Sequence, residues 1–360
     1  MKNQKIEIHN FGPIKTACLD IKKFNIIIGE SSTGKSLIAK WIYFFKTVPE
    51  YIKQKKSEKT SIEEISAIFY NYLKSIFSNY SSYISKETKI VYFYNETKKI
   101  VLSDQENKID FSIFKDMEIE LDSVLYQLAA RSIYLKFNEY HEIYKETDPI
   151  LDKFLSHKII YEKYLQEHKS DTISKIYTNL SQEILKSSYA IKNKQVYLKD
   201  KNNIEFKISD ASSGQQEVLP IIEMIEYLIK TNKSAFCVIE EPEAHIYPVT
   251  QYNLVKMISY FNNFNNNNKI LITTHSPYIL GAINNLIYAT NINDNNGNTK
   301  INEILPESLW IHFSDLGAYK IENGILADIC DKEMKLIDNI QIDEASKMIN
   351  NDYDRMFEYE

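Results

Sequence analysis

The stretch FNIIIGESSTGKSLIAKW, residues 24–41, constrains this chain more than any other. Phe24 to Ile28 reads as a buried strand. Gly29-Glu30-Ser31-Ser32-Thr33-Gly34-Lys35-Ser36 fits the pattern G-x-x-x-x-G-K-[ST], and Leu37, Ile38, Trp41, Ile42 and Phe45 then recur at helical spacing. A glycine loop between a strand and a helix is the setting of a phosphate-binding P-loop. Its backbone N–H groups and the helix N-terminus surround phosphate oxygens. Gly29 and Gly34 permit conformations and close approaches that a Cβ blocks. Lys35 is placed to reach the β- and γ-phosphates, and the Ser36 hydroxyl to bind Mg²⁺. The chain has only 8 glycines, and two fall at the required positions, which argues against a chance match.

Three further segments carry chemistry. In SAFCVIEEPEAHIYP, residues 234–248, a short apolar strand ends in Glu240 and Glu241 and is stopped by Pro242. Two acids at the end of a buried strand are costly unless a cation or substrate meets them. Beside a P-loop, Glu240 reads as the magnesium-holding acid and Glu241 as the group that positions or deprotonates an attacking water. In SDASSGQQEVLPIIEMI, residues 209–225, Ser212 and Ser213 precede a helix with Val218, Ile221, Ile222 and Ile225 on one face. Such an N-terminus is ready for an anion, though Ser-Ser-Gly before a helix is also simply a cap. In KILITTHSPYIL, residues 269–280, a strand ends in Thr273-Thr274-His275, and His275 reads either as a γ-phosphate contact or as a structural histidine.

The order P-loop, Ser-Ser-Gly-Gln, Glu-Glu, His resembles the ABC-type ATPases, in the branch that holds SMC, RecF and OLD proteins. Ser212-Ser213-Gly214-Gln215 resembles their signature motif, and His275 their switch histidine. Glu240-Glu241-Pro242-Glu243-Ala244-His245 is similar to OLD-type and related defence ATPases. So are IHNFGPIK, residues 8–15, and LAARS, residues 128–132. The chain departs from that branch at Ser31, where Asn is frequent, at Glu240, where Asp is usual, and at Ser213, where Gly is usual. Gln127 is the candidate for the metal-contacting glutamine of the family. The resemblance implies an α/β fold, with an ABC-type head built on a mixed central sheet flanked by helices. It also implies ATP and Mg²⁺ as cofactors, contacts from Gly29 through Leu37, and Ser36, Glu240 and Gln127 at the metal. Glu241 and His275 are then catalytic, and Ser212 to Gln215 complete the ATP site of a second copy in a homodimer.

The rest of the chain is expected to divide as follows. Residues 1–47 and 191–290 form the two parts of the head, 48–190 a mainly helical insertion with a hairpin, and 291–360 an extension. Ser61 and Glu64 form a capping box ahead of Ile65, Ile68, Phe69, Tyr72, Leu73 and Ile76. Residues 89–103 read as a hairpin, and 196–208 as another that feeds the signature turn. Residues 150–187 read as two helices that pair with each other. Ile150, Leu151, Phe154, Leu155, Ile159, Tyr164 and Leu165 mark the first. The asparagine-rich 261–269 and 291–298 read as loops, and the tail as a hairpin with one or two helices, too short for a Toprim-type nuclease.

The formal charge of −6 disfavours a general attraction to nucleic acid; Lys53, Lys55, Lys56 and Lys59 form one candidate basic patch, which reads more readily as an ordinary solvated surface. No apolar run approaches the ~20 residues of a membrane span. Three scattered cysteines fit a reducing, cytoplasmic setting. Three functions are then open. One is a switch ATPase that regulates a separately encoded effector, a nuclease or other toxin, as in Septu, PARIS or retron-associated defence. The second is a RecF-like or SMC-like ATPase acting directly on DNA. The third is a transporter's nucleotide-binding subunit, disfavoured by the long separation of P-loop and signature and by the Glu-Glu pair.

Overall fold

The computed structural model describes residues 4–57, 60–103, 111–114, 123–135, 148–169, 171–296 and 300–338. Its centre is a ten-stranded mixed sheet in the order β5-β4-β1-β2-β13-β12-β3-β11-β10-β6. The strands are β1 (Gln4–Phe11), β2 (Ile14–Ile21), β3 (Phe24–Ile28), β4 (Ile84–Phe93), β5 (Lys99–Ser103), β6 (Ser123–Gln127), β10 (Ala235–Glu240), β11 (Lys269–Thr274), β12 (Leu316–Glu322) and β13 (Ile325–Asp328). A separate antiparallel sheet holds β7 (Ser187–Lys192), β8 (Gln195–Asp200) and β9 (Glu205–Lys207).

Half of the central sheet is parallel. β12, β3, β11, β10 and β6 run side by side in one direction. Parallel strands are covered on both faces, and therefore read as unbroken apolar runs. Alternation then sorts their side chains. Phe24, Ile26 and Ile28, with Cys237, Ile239, Ile270 and Ile272, enter one core; Ile27, Phe236, Val238 and Leu271 enter the other. The first core is roofed by the helices Ser213–Lys230, Pro248–Phe264 and Pro277–Asn296, and the second by Lys35–Lys55 and Ile62–Ile76. The mixed sheet flanked by helices is the fold expected from the sequence.

Several local expectations hold. The Ser61–Glu64 capping box is formed in both directions. The hairpins at 89–103 and 316–328 are present. Segment 196–208 is β8 and β9 of a three-stranded meander that leads, through a short turn at 208–210, to Ser212. Residues 8–15 span the end of β1, the turn Gly12-Pro13 and the start of β2.

Others differ. The helices Pro149–Glu167 and Lys175–Leu185 exist but are not a pair: the first lies along Ser213–Lys230, the second against Pro248–Phe264. Ile159 is exposed; its expected inward place is taken by Lys158, which pairs with Glu223 and, at 2.5 Å, with Glu162. Residues 261–264 and 291–296 are helical, because each prolongs a helix whose preceding apolar face is already buried. β4, β5 and β6, from the stretch between P-loop and signature, join the central sheet, and so does the late hairpin β12–β13. Lys59 and the helices expected in the tail beyond 338 lie outside the described residues.

Candidate functional site

The parallel strands bring the sequence motifs to one edge of the sheet. β11 lies between β3 and β10, with Thr274 opposite Ile28 and Thr273 opposite Glu240. Chain leaving the carboxyl ends of β3, β11 and β10 therefore meets at one place, where open α/β sheets bind ligands.

After β3 the loop 29–34 leads directly into the helix Lys35–Lys55, with Gly34 at its N-cap in a left-handed conformation (φ 109°). The two loop glycines are fixed by neighbours. A Cβ on Gly29 would lie 2.5 Å from the backbone oxygen of Ile321 in β12, and one on Gly34 would lie 2.7 Å from Ile14 in β2. Thr33 Oγ1 donates to Glu30 O at 2.8 Å and braces the loop. Glu30, Ser31, Ser32 and Ser36 are exposed, and Leu37 is half-buried.

Lys35 is buried, and its ammonium donates to Gly29 O and Glu30 O, both at 2.7 Å. Burial pulls it below its ordinary lysine value, while Glu241, Glu243 and Glu240 push back in that order. His275 Nδ1 lies 3.1 Å from the same Nζ and 3.0 Å from Gly29 O. On the other side of the ring, Nε2–H donates to Glu241 Oε1 at 2.5 Å. With Nε2 protonated against the carboxylate, Nδ1 faces two opposite partners: in the neutral ring it accepts from Lys35, and in the doubly protonated ring it donates to Gly29 O. Lys35, His275 and Glu241 thus lie in one line of polar contacts, ending in a carboxylate about a third exposed. Glu241 sits at φ 42°, a left-handed conformation that few non-glycine residues adopt.

Glu240 is buried at the end of β10 and accepts the Tyr126 hydroxyl at 2.8 Å on Oε1. Burial, then the Glu240 charge, drives the Tyr126 phenol well above its ordinary value, so it stays a donor. No ion pair to Glu240 is found among the described residues. A buried acid without a paired cation, on the sheet edge that carries the P-loop, fits the divalent ion the sequence implies. No group of three or more His, Cys, Asp or Glu placed to hold a metal occurs among the described residues. Gln127 is not brought to this place. It points to the opposite sheet face from Tyr126, where Nε2 contacts Met224 Sδ at 3.2 Å and buried Oε1 has no hydrogen-bond partner.

Ser212 caps the helix Ser213–Lys230 in a reciprocal capping box with Gln215, and both Ser212 and Ser213 are exposed. Gln215 Nε2 also donates to Leu185 O at 2.7 Å. Gly214 is buried against the loop after Glu241: a Cβ there would meet His245 O at 2.6 Å. The hydrogen bonds seen for Ser212 go to Gln215 and, at its carbonyl, to Gln216 N, none to the chain's own P-loop among the described residues.

Two groups that tie the site together escaped the sequence reading. Glu243 Oε1 accepts His275 N at 2.7 Å and Thr274 Oγ1 at 2.6 Å, and so clamps the β11 end to the β10 loop. Glu217 accepts from Arg131 N and from Ser132 N and Oγ. The available signal was its position. Glu217 lies four residues before Ile221, on a face otherwise apolar, where an unpaired acid would be costly.

Fold and site together define a P-loop ATPase domain. The chain belongs to the family described as "AAA domain, putative AbiEii toxin, Type IV TA system", which it matches over residues 24–281. That span holds every site residue from Gly29 to His275. No curated protein matches the chain. Among solved structures it is similar to the SMC head domain from Thermotoga maritima, with 12% identity, 91% of this chain and 98% of that one covered, and a TM-score of 0.43. It is also similar to the Smc head domain bound to the C-terminal domain of ScpA derived from Pyrococcus furiosus (11%, 98% and 99%, 0.45). A third is the ADP conformation of an ATP-binding cassette of an ABC transporter (15%, 95% and 96%, 0.38). No helix among the described residues is long and apolar enough to cross a membrane.

Proposed function

We propose that this chain hydrolyses ATP with Mg²⁺, that it does so as a homodimer with two shared sites, and that ATP acts as a switch on a separately encoded effector. The observation that carries the hydrolytic part is the line Lys35–His275–Glu241, which joins the P-loop to a partly exposed carboxylate. A triphosphate entering the loop exchanges the Gly29 and Glu30 carbonyls for phosphate oxygens on the Lys35 ammonium. His275 follows that exchange, because its Nδ1 faces both Lys35 and Gly29 O. Glu241 then orients the attacking water and takes its proton. Ser36 and Glu240 would hold the magnesium ion, which supplies charge neutralisation on the phosphate oxygens.

The shared site is supported by Ser212 and Ser213, two exposed hydroxyls at a helix N-terminus whose partial positive charge favours an anion. The family description names a putative toxin of a type IV TA system; the separate effector and the defence role rest instead on the resemblance of Glu240-Glu241-Pro242-Glu243-Ala244-His245 to defence ATPases. The net charge of −6 counts against the alternative, direct action on DNA, for which the expected finding is salt-dependent DNA binding.

Two variants test the catalytic assignment. Glu241→Gln is expected to retain ATP binding and slow turnover by ~100-fold or more, the scale of a lost positioned base. Lys35→Ala is expected to lose ATP binding. Unchanged turnover in the first, or unchanged binding in the second, removes the corresponding assignment.

A further inference from the structure

We propose that Arg131, anchored by Glu217, is a positioning residue that makes the placement of Glu241 depend on the seat of the signature helix. The inference deepens the ATPase reading and rests on it. Arg131 is fully buried, at 0% exposure, so it touches no ligand from solvent. Its guanidinium faces two ways. Nε donates to Glu217 O at 2.7 Å, and the Arg131 backbone N donates to Glu217 Oε2 at 2.8 Å. On the other side Nη1 donates to Glu240 O at 2.6 Å and to Leu128 O at 2.7 Å, and Nη2 donates to Glu241 O at 3.0 Å.

Both carbonyls of the Glu-Glu pair therefore hang on one planar, rigid fork. Glu217 lies one turn inside the helix that begins at Ser213, and its carboxylate also takes Ser132 N at 3.1 Å and Ser132 Oγ at 2.6 Å. A shift of that helix, as when Ser212 and Ser213 close on an anion, moves Glu217 and through Arg131 the peptide on either side of Glu241. Glu241 is in an unusual left-handed conformation, φ 42°, so its carboxylate direction depends on what holds those carbonyls. A residue needed only for packing has no reason to bridge these two elements. Lysine at 131 keeps the charge and loses the fork.

The test measures kcat, KM, ATP affinity and thermal midpoint for Arg131→Lys and Glu217→Gln, each alone and combined with Glu241→Gln. Misplacement of a catalytic group predicts a kcat loss of about tenfold or more, with ATP affinity held within about threefold. In the Glu241→Gln background the same substitutions are expected to add little, since they act through that carboxylate. Ser132→Ala, which removes one contact to Glu217, is expected to give a smaller loss of the same kind and serves if the other variants do not fold. Unchanged kcat, or losses that multiply in the Glu241→Gln background, overturn the proposal. Absence of ATP turnover in the unmodified chain overturns the ATPase reading, and this inference with it.

Discussion

A Cβ at position 29 would collide with backbone, 2.5 Å from Ile321 O, and with the Ile321 side chain at 2.8 Å; at position 281 it would meet nothing within 4 Å. The two glycines therefore predict opposite outcomes. Gly29→Ala must push the P-loop away from β12, and ATP affinity is expected to fall at least ~10-fold by titration, on the scale that small misplacements of a site exact. Gly281→Ala, inside the helix Pro277–Asn296, is expected to stabilise by about 0.5–1 kcal/mol in chemical denaturation, because alanine restricts the unfolded chain. At this scale the P-loop was legible, because its residues serve one local loop. Glu243, Tyr126 and Arg131 were harder to assign, because their partners are remote: Tyr126 meets Glu240, and Arg131 meets Glu217. Gln127 shows the limit of position alone. It ends the right strand, yet strand alternation turns its amide to Met224 on the far face.

The helix Pro149–Glu167 shows the same limit for an element. Its existence was legible in the apolar spacing, and Asp148 caps it by accepting from Ile150 N and Leu151 N. Its apolar spacing marks the inner face except at Ile159, which is exposed while Lys158 faces inward; a lysine is an unlikely core residue until its partner is known. Lys158 is buried at the contact with Ser213–Lys230. It makes a short ion pair with Glu223, lies 2.5 Å from Glu162 and sits 4.1 Å from the Tyr134 ring centroid. Lys158→Met would strand Glu223, itself fully buried, and is expected to cost about 3–5 kcal/mol in denaturant unfolding. Adding Glu223→Leu is expected to recover much of that loss. A single variant as stable as the parent would contradict the pair's role. The asparagine run 261–269 divides: Asn262 is helical and donates to Lys23 O and Asn268 O, whereas Asn265 to Asn268 form the expected loop, with Asn268 buried in it and its Oδ1 accepting Ala235 N.

The whole molecule places distant segments side by side through strand order. The motifs predicted a strand before the P-loop, one before Glu240 and one before His275, and all three are present. What spacing did not disclose is that β12, from the last part of the described chain, lies beside β3 and walls the P-loop, or that β6 closes the sheet beside β10. Such pairings depend on contacts far apart in sequence, which local pattern does not encode. The same geometry leaves Ser212 and Ser213 exposed and without hydrogen bonds to their own P-loop among the described residues, which supports the proposal that they serve a second copy's nucleotide.

Mixing two inactive variants tests that claim most directly. Lys35→Ala disables the P-loop, and Ser213→Glu places a charge that repels phosphate at an exposed helix N-terminus. A mixed dimer keeps one site with an intact P-loop from one chain and an intact signature turn from the other. ATP turnover, lost in each variant alone, is expected to return on mixing. If the mixture stays as inactive as its components while mixed dimers form, or if Ser213→Glu alone retains full turnover, the shared site is contradicted.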